Sequence, residues 1–137
     1  MQLKITTDYA IRAILYLATK DEVISSLEIS EKMSIPRKYL INIMKDLKNA
    51  GLVNTFSGQH GGYSLGRPTS QISLFDIIET MEGTSRINRC LEDDRYCSRF
   101  ATENCPVRNT YLFIQSELER SLRSVTIQKL LEDSAAK

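Results

Sequence analysis

The hydrophobic period of this chain changes abruptly at Gly51, and this change limits the folds open to its first half. Before Gly51 the apolar residues recur at helical spacing, as in Leu40, Ile43, Met44 and Leu47. After Gly51, residues 52–56 favour a strand, SGQHGG is a turn with three glycines, and YSLG favours a short return strand. The pattern therefore predicts a helix that stops at a C-terminal glycine and is followed by a β-hairpin.

Two shorter helical segments precede this unit. Residues 7–19 place their apolar side chains on one face, and residues 25–33 begin with a capping-box pattern in which Glu28 follows Ser25 by three residues. The turn MSIP joins the second and third segments, and Pro36 suits the first turn of a helix. Three helices followed by a glycine-tipped hairpin are the order of a winged helix-turn-helix.

The second half of the chain is predicted to be helical on both sides of an aperiodic loop. A helix begins at Ser73, with Asp76 three residues on, and runs to Gly83. Residues 84–105 have no clear period, whereas from Pro106 one long helix with a broad apolar stripe is followed by a short amphipathic tail. The predicted fold class is mainly α with a small β-hairpin wing: a winged helix-turn-helix plus a long C-terminal helix.

Composition excludes several classes of protein. The 137 residues are 42% hydrophobic and 26% charged, which excludes a disordered chain. No stretch approaches the roughly 18 apolar residues of a membrane span, and the first segment is an amphipathic helix rather than a signal peptide. We therefore expect a cytoplasmic protein without a membrane partner. No nucleophile–base arrangement or cofactor motif indicates an enzyme.

Charge and helix pattern together indicate DNA binding. Residues 1–68 hold 9 Lys/Arg and 6 Asp/Glu, whereas residues 69–137 hold 9 and 11, so the first half is the one suited to meet an anion. The N-terminal half and outer face of a recognition helix reach base edges in the major groove. The candidate contacts on the third helix are Arg37, Lys38, Tyr39, Asn42 and Lys45. A solvated face on a protein-interaction module is the alternative.

The tip of the predicted hairpin is small and polar, which suits close approach to a phosphate backbone or to the minor groove. Ser57, Gln59 and His60 are the candidate DNA contacts in this wing. His60, the only histidine of the chain, is interpreted as a phosphate contact or a turn residue rather than as a metal ligand.

All three cysteines lie in CLEDDRYCSRFATENCP, residues 90–106, separated by six and then seven residues. In a reducing compartment, an odd and clustered set of thiols indicates metal binding or redox reactivity rather than a disulfide framework. Three thiolates are one short of the four ligands that usually hold an iron–sulfur cluster. Zinc is a rival occupant, but structural zinc sites usually contain a CxxC pair, and this chain has none.

Five features form a recognisable set: TTDYAIRAILYLA, EISEKMSIPRKYLINIMKDLKNAGLV, GQHGGYSLGRP, ISLFDIIETMEG and the three closely spaced cysteines. Over essentially the whole chain they resemble the IscR/NsrR family of bacterial winged-helix transcriptional regulators. The resemblance implies a homodimer, paired through the long C-terminal helix, that binds pseudo-palindromic operators in double-stranded DNA. It divides the chain into a DNA-binding domain (1–83), a cluster-binding loop (84–105), and a dimerisation helix with a C-terminal tail (106–137).

The resemblance also implies that Cys90, Cys97 and Cys105 hold an iron–sulfur cluster whose state controls DNA binding, with 4Fe–4S preferred over 2Fe–2S. Some relatives have a histidine ligand three residues after the third cysteine, and here that position is Arg108. In NsrR-like relatives the fourth ligand is an aspartate from the first helix of the partner subunit, and Asp8 occupies the matching position. Capping of the first helix is the alternative role of Asp8.

The regulator is interpreted as a repressor that senses nitric oxide, redox state, or iron and cluster supply. The alternative is a cluster-free regulator of the same fold that acts by disulfide or persulfide chemistry, since some relatives work without a cluster. Many relatives have a wing arginine where this chain has Ser57, so minor-groove binding is weaker unless Gln59 and His60 substitute. The acidic run 92–94 disfavours cluster reduction and is partly offset by Arg86, Arg89, Arg95 and Arg99.

Overall fold

The computed structural model describes residues 1–135, and in this range it contains six α-helices and one two-stranded hairpin. The winged unit comprises α1 (Ile5–Ala18), α2 (Ser26–Met33), α3 (Arg37–Asn49), β1 (Val53–Phe56) and β2 (Gly62–Leu65). After it come α4 (Leu74–Glu82), α5 (Pro106–Ser124) and α6 (Ile127–Ala135), with 3-10 turns at Thr69–Gln71 and Arg89–Leu91. The predicted fold class is confirmed. The last two residues of the predicted tail, 136–137, lie outside the described range.

Within residues 1–135, no helix is both long and apolar enough to cross a bilayer.

Capping residues mark the starts of α2 and α4. Ser73 and Asp76 form a reciprocal capping box at the start of α4, as the sequence predicted. At α2 only half of the capping box forms. The Ser25 hydroxyl accepts a hydrogen bond from the Glu28 backbone N–H, but the Glu28 carboxylate accepts one from the Tyr16 hydroxyl of α1 instead of from the Ser25 N–H. The Glu28 side chain therefore ties α2 to α1 rather than closing its own helix end.

The turn between α2 and α3 sets the helix-turn-helix. Ser34 has a positive φ of 54°, in the left-handed region that ends many helices, and its neighbour Ile35 is buried. Pro36 directly precedes α3 as its N-cap residue rather than lying in its first turn. At the other end, Gly51 has a φ of 77° and occupies the predicted position after the helix.

The core is formed by one apolar face from each helix of the winged unit. From α1 it takes Ala10, Ala13, Ile14 and Leu17, and from α3 the predicted stripe of Leu40, Ile43, Met44 and Leu47. Helix α2 contributes Ile29, and the connecting segments, β1 and α4 contribute Ile24, Ile35, Leu52, Val53, Ile72 and Ile77. Because burial of one such large aliphatic side chain contributes about 1.5–3 kcal/mol, this cluster is the main source of stability.

The hairpin is held by a third segment. β1 and β2 pair antiparallel, with Val53 opposite Leu65. In addition, Ile24, between α1 and α2, exchanges two backbone hydrogen bonds with Tyr63 of β2, at 2.9 and 2.8 Å. The wing is therefore anchored to the helical core by main-chain bonds, and not only by its own two strands.

Close backbone approach explains the glycines of GGYSLG. A Cβ on Gly62 would lie 2.1 Å from the Ile24 carbonyl oxygen, and a Cβ on Gly66 would lie 2.6 Å from the Gly51 carbonyl oxygen. Neither distance leaves room for a side chain. The anchoring of the wing to the α1–α2 connection thus depends on glycine at position 62.

The C-terminal helix returns to the N-terminal unit. Ile127 of α6 is fully buried, and its N–H donates to the Ile72 carbonyl at 2.9 Å. The Leu74 N–H donates to the Val125 carbonyl at 2.9 Å, and α6 contacts α1. The predicted amphipathic tail is therefore a helix whose apolar face completes the core.

Helix α5 has an unusual distribution of side chains. Among its residues, all of them in the described range, Gln115 is the one buried side chain. The exposed side chains include the large apolar residues Val107, Leu112, Phe113 and Ile114. Large exposed apolar side chains of this kind are typical of a protein contact surface.

Replacing Gly62 with alanine is expected to lower the free energy of unfolding by about 2–3 kcal/mol, because the new Cβ collides with the Ile24 backbone. Urea unfolding followed by circular dichroism measures the loss. Gly58→Ala is the matched control, since Gly58 has a φ of 95° but no heavy atom within 4 Å of its Cβ position. The control should lose only about 1 kcal/mol from backbone strain. Equal losses for the two variants would contradict the close-approach argument.

Candidate functional site

The outer face of α3 is polar, basic and exposed. Lys38, Asn42 and Lys45 are all exposed, while the apolar stripe of the helix faces the core. Spacings of four and three residues place these three side chains along one line of the helix. The predicted DNA contacts of α3 thus share a surface that offers ammonium groups to phosphate or guanine and an amide to adenine.

The first turn of α3 adds two further predicted contacts. The Arg37 guanidinium donates to the Ser26 hydroxyl at the start of α2, at 3.4 Å, and remains exposed. The Lys38 ammonium lies 5.1 Å from the ring centroid of Tyr39, which is 42% exposed. Positive side chains at the positive end of a helix dipole favour a nearby phosphate.

Ile41 belongs to the same face, although the sequence patterns above did not single it out. Its side chain is 48% exposed, one turn before Lys45. An exposed apolar side chain among polar base-reading groups suits contact with a thymine methyl group. The sequence could have identified Ile41, because it is an apolar residue whose position in the helical repeat lies outside the buried stripe of α3.

The wing presents its predicted contacts at its tip. Ser57, Gln59 and His60 are all exposed, and Gly58 turns the chain with a φ of 95°. Strand β1 contacts α3, so the wing is attached directly to the recognition helix. The two predicted DNA-contacting segments are therefore parts of one packed unit.

Asp8 lies on α1, outside the lining of the cysteine cavity of its own chain. Its half-exposed carboxylate accepts a hydrogen bond from Arg12 at 2.7 Å, and Arg12 also donates to the Met33 carbonyl at the end of α2, at 3.2 Å. The helix begins at Ile5 with Lys4 as its N-cap residue, so Asp8 is not the cap of α1. Its bond to Arg12 stays within α1, and it is the Arg12 bond to Met33 that connects α1 with the helix-turn-helix.

An aromatic contact continues this connection into α3. The rings of Tyr9 and Tyr39 lie 6.3 Å apart between centroids and are tilted by 40°, while the Arg12 guanidinium lies 5.2 Å from the Tyr9 centroid. Side chains thus run in contact from Asp8 to the first turn of the recognition helix. The sequence did not reveal this path, since it depends on the crossing of two helices.

The three cysteines converge on one cavity of about 290 Å³ at the N-terminal end of α5. Cys90 lies in the 3-10 turn, Cys97 in the following loop, and Cys105 is the N-cap residue of α5. All three are partly exposed free thiols. The structure brings together the residues that the sequence predicted as metal ligands.

Hydrogen-bond donors point at two of the sulfurs. The Asn88 side-chain amide donates to Cys90 Sγ at 3.3 Å, and the Arg108 backbone N–H donates to Cys105 Sγ at 3.4 Å. Hydrogen bonds to the ligand sulfurs are a usual feature of iron–sulfur centres. Both bonds are therefore consistent with a ligand role for these cysteines.

The Cys97 thiol has an environment of its own. The backbone N–H groups of Ala101, then Arg99 and Phe100, lower the pKa of Cys97 below the ordinary value of a cysteine thiol. The turn that presents these N–H groups places Phe100 at a φ of 55° and leaves its ring 95% exposed. Cys97 is therefore held toward its thiolate form by the local backbone.

The donor set fits a polynuclear centre better than a single ion. In residues 1–135, no three His, Cys, Asp or Glu side chains are placed to share one ion. A zinc ion would need every sulfur at about 2.3 Å. In an iron–sulfur cluster the thiolates bind different irons and are spaced more widely. Three thiols around one cavity, with N–H donors to two of the sulfurs, are compatible with such a cluster.

Ion pairs balance much of the charge near the cysteines. Arg89 and Asp94 are paired, which raises the pKa of Arg89 and lowers the pKa of Asp94, chiefly through their hydrogen bond. Arg86 pairs with Glu119 of α5 at 2.9 Å. Arg86 and Arg89, two of the four arginines expected to offset the acidic run 92–94, thus form ion pairs with carboxylates.

A helix-turn-helix with a basic recognition helix and a hairpin wing defines a winged-helix DNA-binding protein. The profile of the Rrf2 family, described as iron-dependent transcriptional regulators, matches residues 3–133. The chain belongs to the Rrf2 family, which includes the IscR/NsrR-type regulators, so the predicted resemblance is confirmed. It is a transcriptional regulator and not an enzyme.

Individual relatives agree with this assignment. A protein of Aquifex aeolicus (strain VF5) that is described as an HTH-type transcriptional regulator is 32% identical to this chain over 127 residues. The match covers 92% of this chain and 88% of that protein. CymR, the global cysteine regulator of B. subtilis, superimposes with a TM-score of 0.76 at 27% identity over 95% of both chains. IscR of T. potens gives a TM-score of 0.75 at 24% identity, over 98% of this chain and 88% of that one, and supports the fold alone.

Lys45→Ala is expected to weaken binding to all DNA sequences by a similar factor and to reduce the salt slope of the binding constant by about 1, if Lys45 neutralises one phosphate. Asn42→Ala should instead cost about 1–3 kcal/mol on a preferred duplex and little on unrelated DNA. Fluorescence anisotropy at several salt concentrations measures both effects, on a duplex selected from a random library by the wild-type protein.

Lys129→Ala serves as the control for both variants, because Lys129 is an exposed lysine on α6 rather than on the recognition helix. Its affinity and salt slope should match those of the wild type. An equal loss in Lys129→Ala and Lys45→Ala would show that general charge, and not the α3 face, governs binding.

Proposed function

We propose that this protein is a repressor whose affinity for a pseudo-palindromic operator is controlled by an iron–sulfur cluster that responds to nitric oxide, redox state, or iron and cluster supply. The observation that carries the proposal is the convergence of Cys90, Cys97 and Cys105 on one cavity of a winged-helix regulator. Membership of a family described as iron-dependent supports it. A 4Fe–4S cluster is preferred over 2Fe–2S, following the resemblance to NsrR-type relatives.

The fourth ligand in this proposal is the partner subunit's Asp8. Arg108 stands where some relatives have a histidine, and a guanidinium that stays protonated does not bind a metal. The Asp8 carboxylate is 53% exposed and thus accessible to a second chain. When bound, the cluster would supply an iron that reacts with nitric oxide or oxygen.

The contacts of α1 offer a route from Asp8 to DNA. If Asp8 turns toward the cysteines of a second subunit, Arg12 loses its carboxylate partner but keeps the Met33 carbonyl at the end of α2. Arg12 also lies over Tyr9, which contacts Tyr39 at the start of α3. A change at Asp8 is thus transmitted to the side chains that face DNA.

The exposed apolar side chains of α5 support the proposed homodimer. Val107, Leu112, Phe113 and Ile114 are all exposed, although large apolar side chains gain free energy by burial. Pairing of two α5 helices about a two-fold axis would place two α3 helices on two half-sites of a palindrome. Residues 1–83 would then bind DNA, 84–105 the cluster, and 106–137 would include the dimerisation helix.

A cluster-free thiol regulator of the same fold is the second candidate. It is favoured by the lowered pKa of Cys97, since thiolate is the reactive form of cysteine. It is also favoured by the likeness to S. aureus CymR in its oxidised form, with a TM-score of 0.71 and 26% identity over 95% of both chains. Here Cys90, Cys97 and Cys105 would form disulfides or persulfides that change DNA binding.

Anaerobic reconstitution with iron and sulfide is expected to give a brown wild-type protein, whereas Cys97→Ser should retain little iron because one of three thiolate ligands is lost. Iron analysis and Mössbauer spectroscopy measure the loss, and operator footprinting before and after nitric oxide measures the response. Ser98→Ala, next to Cys97, is the control and should behave as wild type.

A colourless and iron-free wild-type protein after reconstitution would overturn the cluster proposal. The second candidate would then require that mass spectrometry finds reversible modification of the cysteines, and that this modification changes operator binding. Unchanged operator binding by reduced and oxidised protein would exclude it as well.

Asp8→Ala is expected to speed cluster loss to a chelator by about tenfold, in line with the usual effect of weakening a metal site. The fold should be nearly unaffected, since an exposed i,i+4 ion pair contributes only about 0.3–0.5 kcal/mol. Absorbance decay and thermal unfolding measure the two effects. Arg12→Gln breaks the same ion pair but keeps the carboxylate, so it should retain the cluster. Identical decay in Asp8→Ala and wild type would show that Asp8 is not a ligand.

A further inference from the structure

Gln115 makes an uncommon set of contacts for a glutamine on a long surface helix. Its side chain is only 3% exposed. Its Oε1 accepts the Ile87 N–H at 2.8 Å, and its Nε2 donates to the Ser85 carbonyl at 3.0 Å. One side chain therefore satisfies both a donor and an acceptor of the backbone that leads from α4 to the first cysteine.

Arg108 makes a second attachment two turns earlier on α5. Its Nε donates to the Cys90 carbonyl at 3.1 Å, and its backbone N–H donates to Cys105 Sγ at 3.4 Å. The seven residues from Arg108 to Gln115 correspond to about two helical turns, so both side chains lie on the same face of α5. The exposed Leu112 lies between them on this face, whereas the exposed Phe113 and Ile114 lie on other sides of the helix.

Glu119 completes the attachment one turn after Gln115. Its Oε1 accepts hydrogen bonds from Gln115 at 3.2 Å and from Arg86 at 2.9 Å. The segment 85–90 is thereby held to α5 at three points, by Arg108, Gln115 and Glu119. Loss of Gln115 would leave the Ile87 N–H and the Ser85 carbonyl without these partners in a partly buried place, which is unfavourable.

We infer that Gln115 and Arg108 are positioning residues that clasp the cysteine loop to α5 and set the placement of Cys90 relative to Cys105 before any cofactor binds. That this attachment preforms a cluster site rests on the proposed function. That it holds the loop to α5 rests on the hydrogen bonds alone. Because α5 is also the proposed dimer helix, the clasp joins the state of the cysteine loop to the pairing of subunits.

The test uses Gln115→Leu in the full-length protein, a change that keeps bulk but removes all three side-chain hydrogen bonds of Gln115. In the cluster-free protein, hydrogen–deuterium exchange of residues 84–91 should become about tenfold faster, while α1 and α3 should exchange as in wild type. In the reconstituted protein, loss of visible absorbance to a chelator should also become several-fold faster. Gln128→Leu, at an exposed glutamine of α6, is the matched control and should change neither rate.

Gln115→Glu separates positioning from simple packing. Its carboxylate still accepts the Ile87 N–H but donates nothing to Ser85 and repels Glu119, so exchange should be intermediate between wild type and Gln115→Leu. If Gln115→Leu does not fold, Arg108→Lys decides the question, since it removes only the Nε bond and should speed exchange around residue 90.

Unchanged exchange of residues 84–91 in Gln115→Leu, or unchanged exchange around residue 90 in Arg108→Lys where the first variant does not fold, would overturn the clasp. A wild-type protein that takes up no iron would instead overturn the cluster proposal, and the exchange comparison would still decide the clasp. A variant with faster exchange but wild-type chelator kinetics would also count against the inference, because the clasp would then not position the ligands.

Discussion

The burial of α1 is the constraint on which the rest of the structure depends. This helix contacts α2, α3, α4, α6 and β2, and its fully buried Ala10 and Ala13 let those elements approach closely. The edge of the same helix carries Asp8, whose partner Arg12 reaches the end of α2. A displacement of α1 would therefore change the packing of the core and the contacts of the helix-turn-helix. In the proposed function, the helix that contacts most of the other elements is therefore also the one that carries the proposed fourth ligand, Asp8.

The fold could be predicted from the sequence where the determining signals are local. The stripe of α3, its end at Gly51, the capping box at Ser73 and the glycine turn of the hairpin each depend on neighbouring residues. The return of α6 could not be predicted, since a short amphipathic helix does not specify which surface it covers. The bridge between Ile24 and Tyr63 could not be predicted for the same reason. The glycine at position 62 is the one sequence feature related to it, because a side chain there would collide with the Ile24 backbone.

The candidate site divides in the same way. The three thiols are close in sequence, so their convergence in space was predictable, and the DNA face of α3 followed from its buried stripe. Gln115 gave no signal, because a single glutamine on a helix is ordinarily a solvated residue and only the fold supplies its backbone partners. The proposed role of Asp8 as a fourth ligand followed from the family resemblance alone, since within one chain Asp8 lies outside the lining of the cysteine cavity. The sequence showed only that Arg108 stands where some relatives have a histidine ligand. The structure gives this residue a different role, because its side chain donates a hydrogen bond to the Cys90 carbonyl.

The backbone bridge between Ile24 and Tyr63 has a consequence for how the regulator measures its operator. A hairpin joined only at its base would flex, and its tip would adjust to grooves of different width. Here the two backbone bonds between Ile24 and Tyr63 restrain the wing relative to the helical core. If the wing tip contacts the minor groove, this restraint would favour sequences whose minor groove readily takes the required width, even where no base is touched.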